Sequence, residues 1–112
     1  MSLKDKLIQL SKIFNEGFTV NINNGIISQF NKKAGYVVSY KTLLTINNDK
    51  VTIINNIPNK AILGGWRDKD TDTYYIEVNK VFNSLNLALN KAKQYNQKAI
   101  WDIKNNKEIK VK

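Results

Sequence analysis

The chain has 112 residues, no cysteine, no histidine and a formal charge of +9. Without these two residue types it lacks the usual ligands of zinc, any thiol or imidazole catalyst, and any disulfide. At this length a single domain over residues 1–112 is expected, with the cytosol as the default compartment. No apolar run approaches the roughly 20 residues of a membrane span, and the N-terminus has no signal-like apolar region.

Residues 2–15 read as an amphipathic helix, with Leu3, Leu7, Leu10, Ile13 and Phe14 on one face, Ser2 as N-cap and Gly17 as the stop. Strand patterns follow. Phe18, Val20 and Ile22 alternate with polar residues, Asn24-Gly25 marks a two-residue hairpin, and 26–30 returns. Residues 36–46 form the strongest strand pattern, turned at 47–50 and answered by Val51 and Ile53 before Pro58. Ala61 to Trp66 is a short apolar piece, 67–73 a polar hairpin tip, and 74–82 an alternating strand. A second helix is expected near residues 84–95, capped by Asn83 or Ser84, with Leu85, Ala88, Leu89, Ala92 and Tyr95 as its buried stripe. Ala99, Trp101 and Ile103 read as one strand face, and Ile109 and Val111 as part of a last strand after an Asn105-Asn106-Lys107 turn. These elements predict an α+β fold: a curled antiparallel sheet of about six strands, an N-terminal helix and one later helix.

The candidate sites are few. Asp68, Asp70 and Asp72 resemble the opening of a calcium loop, but Thr73 stands where glycine is needed and Asn79 where a bidentate glutamate is needed. They read as a hairpin tip, and no metal, cofactor or catalytic residue is assigned. Gly64-Gly65-Trp66-Arg67 has two readings. One is a strand bend or bulge with Trp66 in the core; the other is a close backbone approach to a ligand, flanked by an aromatic and the only arginine. Tyr36, Tyr40, Tyr74, Tyr75 and Trp101 lie on predicted strands, where aromatics on a basic sheet can stack bases; but Tyr36, Tyr40, Tyr74 and Trp101 share the alternation of their strands' apolar residues, which points to the core instead, and only Tyr75 falls on the opposite face. Lys32 and Lys33 in a loop, and Lys104, Lys107, Lys110 and Lys112 near the end, form basic patches suited to a polyanion. The bias to lysine and asparagine also fits AT-rich codon usage, and lysine lacks the bidentate fork of arginine. The binding residues expected are therefore Lys32, Lys33, Trp66, Arg67, Tyr75, Lys104, Lys107, Lys110 and Lys112.

Residues 64–108 carry a resemblance. They run Gly-Gly-Trp-Arg-Asp, then Tyr74-Tyr75-Ile76-Glu77-Val78, Phe82, a helix with Ala88 and Ala92, and Asn96-Gln97-Lys98-Ala99-Ile100-Trp101-Asp102. This stretch resembles small accessory proteins of bacteriophages and mobile elements of low-GC bacteria, among them proteins of anti-CRISPR type. The resemblance implies a non-enzymatic anti-defence protein that inhibits a CRISPR-Cas or similar bacterial nuclease by binding it or its guide RNA. The positive charge departs from the acidic, DNA-mimicking members of that group and favours a guide-RNA or other nucleic-acid surface. A basic nucleic-acid-binding module and a binder of an anionic nucleotide signal are the alternatives. No membrane partner is expected, and the protein is expected to be a monomer or a homodimer.

Overall fold

A computed structural model describes residues 1–111; Lys112, expected to extend the basic tail, lies outside the described residues. The fold is α+β. In chain order the elements are α1 (Leu3–Ile13), β1 (Gly17–Asn23), β2 (Ile26–Gln29), β3 (Tyr36–Asn47), β4 (Lys50–Ile53), β5 (Lys60–Asp68), β6 (Thr73–Phe82), α2 (Leu85–Gln94), β7 (Ala99–Asp102) and β8 (Lys107–Lys110). The strands form one antiparallel sheet in the order β2-β1-β5-β6-β3-β7-β8, with β4 also paired to β3. The expected six strands thus undercount the eight. Four of the eight, β2, β4, β7 and β8, have only four residues each. Each of these has a counterpart among the expected segments; the element without one is β5, where Gly64-Gly65 reads as a bend within a short apolar piece.

The contacts gather into two compact units, one of residues 1–30 and 41–78, the other of residues 31–40 and 79–112. In the first unit Leu7, Ile22, Leu43, Leu44, Leu63, Tyr74 and Ile76 are fully buried. Ser2 caps α1 as expected, its Oγ accepting the Asp5 N–H at 3.1 Å. The helix stops earlier than the pattern suggests: Phe14 is its C-cap, and Ile13 and Phe14 are 70% and 49% exposed. Leu43 and Leu44 are consecutive yet both buried, so β3 is covered on both faces there.

Gly64 and Gly65 lie inside β5 with no break in its pairing to β1. Gly65 faces Phe18 across that ladder, and the Phe18 and Tyr74 rings stack at 6.3 Å. A Cβ at Gly65 would run into the Phe18 ring and lie 2.8 Å from Tyr74 Cε1. The close approach that Gly65 permits is therefore made by the chain's own aromatic rings.

The second unit has a core of Val38, Ala88, Ala92 and Ile100, against which Tyr36, Phe82, Leu89, Tyr95, Ile109 and Val111 pack. Ser84 caps α2 by accepting the Leu87 N–H at 3.2 Å. Leu85, expected in the buried stripe, opens the helix and is 38% exposed; the stripe is buried at Ala88 and Ala92. At the other end Asn96 adopts φ 58° while its N–H reaches the Lys93 carbonyl and the Gln97 N–H reaches the Ala92 carbonyl. These are the paired bonds of a Schellman cap, which stops the helix where a glycine commonly would.

Trp101 does not join this core. Ile100 and Asp102 are 3% and 4% exposed, whereas Trp101 is 41% exposed. The face expected from Ala99, Trp101 and Ile103 is thus reversed along β7, since neighbouring residues point to opposite sides of a strand.

Candidate nucleic-acid interface

The charge is concentrated in the second unit. Its residues include Lys32, Lys33, Lys80, Lys91, Lys93, Lys98, Lys104, Lys107, Lys110 and Lys112 against only Asp102 and Glu108. The first unit sets eight basic residues against seven acidic ones. Nearly the whole +9 therefore belongs to the second unit.

Hydrogen bonding brings several of these lysines together. β7 and β8 form a hairpin with Ala99 opposite Lys110, Trp101 opposite Glu108 and Asp102 opposite Lys107. β3 adds its start on the other side of β7, with Tyr36 opposite Asp102 and Val37 opposite Trp101. The Ile103 N–H donates to the Gly35 carbonyl at 3.0 Å. That bond ties the loop carrying Lys32 and Lys33 to the turn carrying Lys104. Lys32, Lys33, Lys98, Lys104, Lys107 and Lys110 are all exposed. Among the described residues only Lys110 of these six has an ion-pair partner, Glu108 at 3.3 Å.

Asp102 holds the hairpin turn. Its two carboxylate oxygens accept from the Asn105 backbone N–H at 3.3 Å and from the Asn105 side-chain amide at 2.8 Å. The Asn105 side-chain bond is the main reason its carboxyl sits below the ordinary carboxylate range. Asn106, with φ 52°, completes the turn. Because Asp102 points inward to serve this turn, Trp101 must point outward. Its indole shares the outer face of the hairpin with Ala99, Glu108 and Lys110. Alternation did not reveal this, since the run Ala-Ile-Trp-Asp-Ile has apolar residues at both parities. The Asp102-Asn105 spacing before a turn was the available signal.

The remaining expected site residues lie in the first unit. Trp66 is 38% exposed and stacks on Tyr75 with centroids 4.9 Å apart and planes 12° from parallel. The core position weighed for Trp66 is thus replaced by a half-open aromatic pair. Its indole N–H donates to Glu77 Oε1 at 2.7 Å, and Thr42 Oγ1 donates to Glu77 Oε2 at 2.9 Å. Glu77 is 3% exposed, so two neutral donors replace the water that its carboxylate loses on burial.

Arg67, next to Trp66 in β5, points to the opposite side of the strand. Its guanidinium pairs with Asp72 at 2.9 Å, donates to the Asn15 carbonyl at 3.0 Å and lies 5.4 Å from the Tyr74 ring centre. Burial pushes the Tyr74 phenol up to about 12, and its hydroxyl donates to the Phe14 carbonyl at 2.7 Å. These groups border a shallow hollow of about 440 Å³ that Lys12, Asp49 and Asp72 also line. An anionic nucleotide entering it would meet two carboxylates as well as Lys12 and Arg67. The hairpin-tip aspartates are likewise engaged locally: Asp68 accepts the Asp70 N–H at 3.0 Å, and Asp72 holds Arg67. Among the described residues no group of three or more acidic side chains is placed to hold a metal ion, and no helix is long and apolar enough to cross a membrane.

The structure thus joins Lys32, Lys33, Lys104, Lys107 and Lys110 through one set of paired strands. It brings Trp66 and Tyr75 together elsewhere and turns Arg67 away from both. Sequence reading places Trp101 in the core rather than beside the lysines, and it misses Lys98 there and Glu77 beneath the aromatic pair. No protein-family model, curated protein or solved structure matches this chain.

Proposed function

We propose that this protein is a non-enzymatic binder that covers a nucleic-acid surface with its lysine-rich unit. The guide RNA of a bacterial defence nuclease is the target that the resemblance of residues 64–108 favours. The observation that carries the reading is the segregation of charge: ten lysines against Asp102 and Glu108 in one unit, beside a balanced one. A polyanion gains from such a surface by releasing its condensed counterions when lysines replace them.

The test has two arms. Labelled RNA and DNA are titrated at rising salt with the wild type and with a Lys104→Gln, Lys107→Gln, Lys110→Gln triple variant. The wild type should bind with an affinity that falls steeply with salt, and the triple variant should lower the logarithmic salt slope by about two. In the second arm, saturating protein should suppress cleavage by a guide-RNA-dependent nuclease. Absent or salt-indifferent binding overturns the reading as a whole. Full cleavage across several defence types overturns the inhibitor form and leaves a nucleic-acid-binding module.

A further inference from the structure

We infer that the outer face of the β7–β8 hairpin takes single-stranded nucleic acid, with one base stacked on Trp101 and the flanking phosphates held by lysines. This rests on the proposed nucleic-acid function and specifies what its lysine-rich unit selects. Trp101 is the one tryptophan of that unit, and it leaves 41% of its surface in water although it stands on an inner strand of the sheet. Indole buries a large area when it stacks, and the ring stands outside the unit's buried core cluster. Strand pairing fixes its backbone from both sides, through Val37 of β3 and Glu108 of β8. The platform is therefore held in place before a ligand arrives.

The lysines stand at both ends of this platform. Lys98 and Lys110 are joined at one end, where the Val111 N–H donates to the Lys98 carbonyl and Lys110 faces Ala99. Lys104 stands in the turn at the other end; Lys107, paired with Asp102, starts from the opposite face of the hairpin. Between the two ends lie the four residues of β7, about 13 Å at about 3.3 Å per residue. A strand crossing the outer face would thus meet Lys110, which shares that face with Trp101, on one side of the indole and Lys104 of the turn on the other. Duplex nucleic acid hides its base faces within the stack, so it could use the lysines but not Trp101. Single strands present both groups at once, and stacking accepts any base.

One residue opposes the arrangement. Glu108 faces Trp101 directly and holds Lys110 at 3.3 Å. Its carboxylate must be passed closely by the bound strand, which makes it a measurable brake on affinity.

The experiment compares a labelled oligouridine with a duplex of the same length, using the full chain and its Trp101→Ala, Trp101→Phe and Glu108→Gln variants. Circular dichroism and thermal melting confirm folding for each. The wild type should prefer the single strand, and its indole fluorescence should be quenched on binding. Trp101→Ala should weaken single-strand binding about five- to hundredfold and change duplex binding less than about twofold. Trp101→Phe, which keeps an aromatic face, should recover most of the loss and guards against a merely structural effect of alanine. Glu108→Gln should tighten single-strand binding. If Trp101→Ala binds the single strand as the wild type does, or loses duplex binding equally, the inference is overturned while the nucleic-acid reading stands. If the wild type binds neither probe at low salt, both fall together.

Discussion

At the scale of single residues, asparagine and aspartate set the turns. Among the described residues the six non-glycine positions with positive φ are Asn24, Asn48, Asp49, Asp72, Asn96 and Asn106. Short side chains that can bond their own backbone tolerate this left-handed region better than others. The second members of the pairs 23–24, 47–48 and 105–106 all hold such positions. An abundance of asparagine that fits AT-rich codons therefore also serves the fold. Asp102 and Asn105 make the strongest single case. The carboxyl of Asp102 is held below its ordinary value near 3.8, first by the Asn105 side chain. A carboxylate whose pKa is depressed on folding contributes stability above its unfolded value and loses it as pH falls through the folded one. Asn105→Ala should therefore lower the urea midpoint at neutral pH, and the gap from wild type should close as pH falls through the carboxylate range. A gap that stays constant down to full protonation would mean that the charge of Asp102 plays no part in the turn.

At the scale of elements, the clearest dependence is that of β5 on its glycine. Gly65 leaves the space in which the Phe18 and Tyr74 rings stack across the strand. Gly65→Ala should cost about 1–3 kcal/mol by overpacking. Phe18→Leu in the same chain should relieve part of that cost, so that the double variant is more stable than the two single effects added together. Strict additivity in urea denaturation would place the strain elsewhere.

The same elements explain what could be read in advance. The long patterns of β3 and β6, the Ser2 and Ser84 caps and the Asn24-Gly25 turn were legible, because each rests on residues within a few positions of one another. The direction in which β7 faces was not legible, because it depends on Asp102 turning inward to Asn105. Nor was the Trp66–Glu77 bond, which joins two strands through side chains eleven positions apart. The fate of Arg67 depended on Asn15, 52 positions away. The lysines of the candidate interface could be named from sequence, but their convergence through the Ile103–Gly35 bond could not.

For the whole molecule the open question is whether the charge acts as a total or as a patch. Codon bias alone would scatter lysine without regard to the fold, and the first unit does contain several, including exposed Lys50, Lys60 and Lys69. What differs between the units is acid: seven residues in the first, two in the second. Of those two, Asp102 is buried in its turn and Glu108 is paired with Lys110. A direct comparison separates the two possibilities. One variant carries Lys50→Gln, Lys60→Gln and Lys69→Gln, the other Lys104→Gln, Lys107→Gln and Lys110→Gln. Both lose three positive charges. At about 0.1 M salt the reach of an exposed charge is only about 10 Å, so a local patch and a total charge give different results. The second variant should weaken RNA binding about tenfold or more, while the first stays within about twofold of wild type. Equal losses from both would assign the attraction to net charge alone and remove the hairpin from the argument.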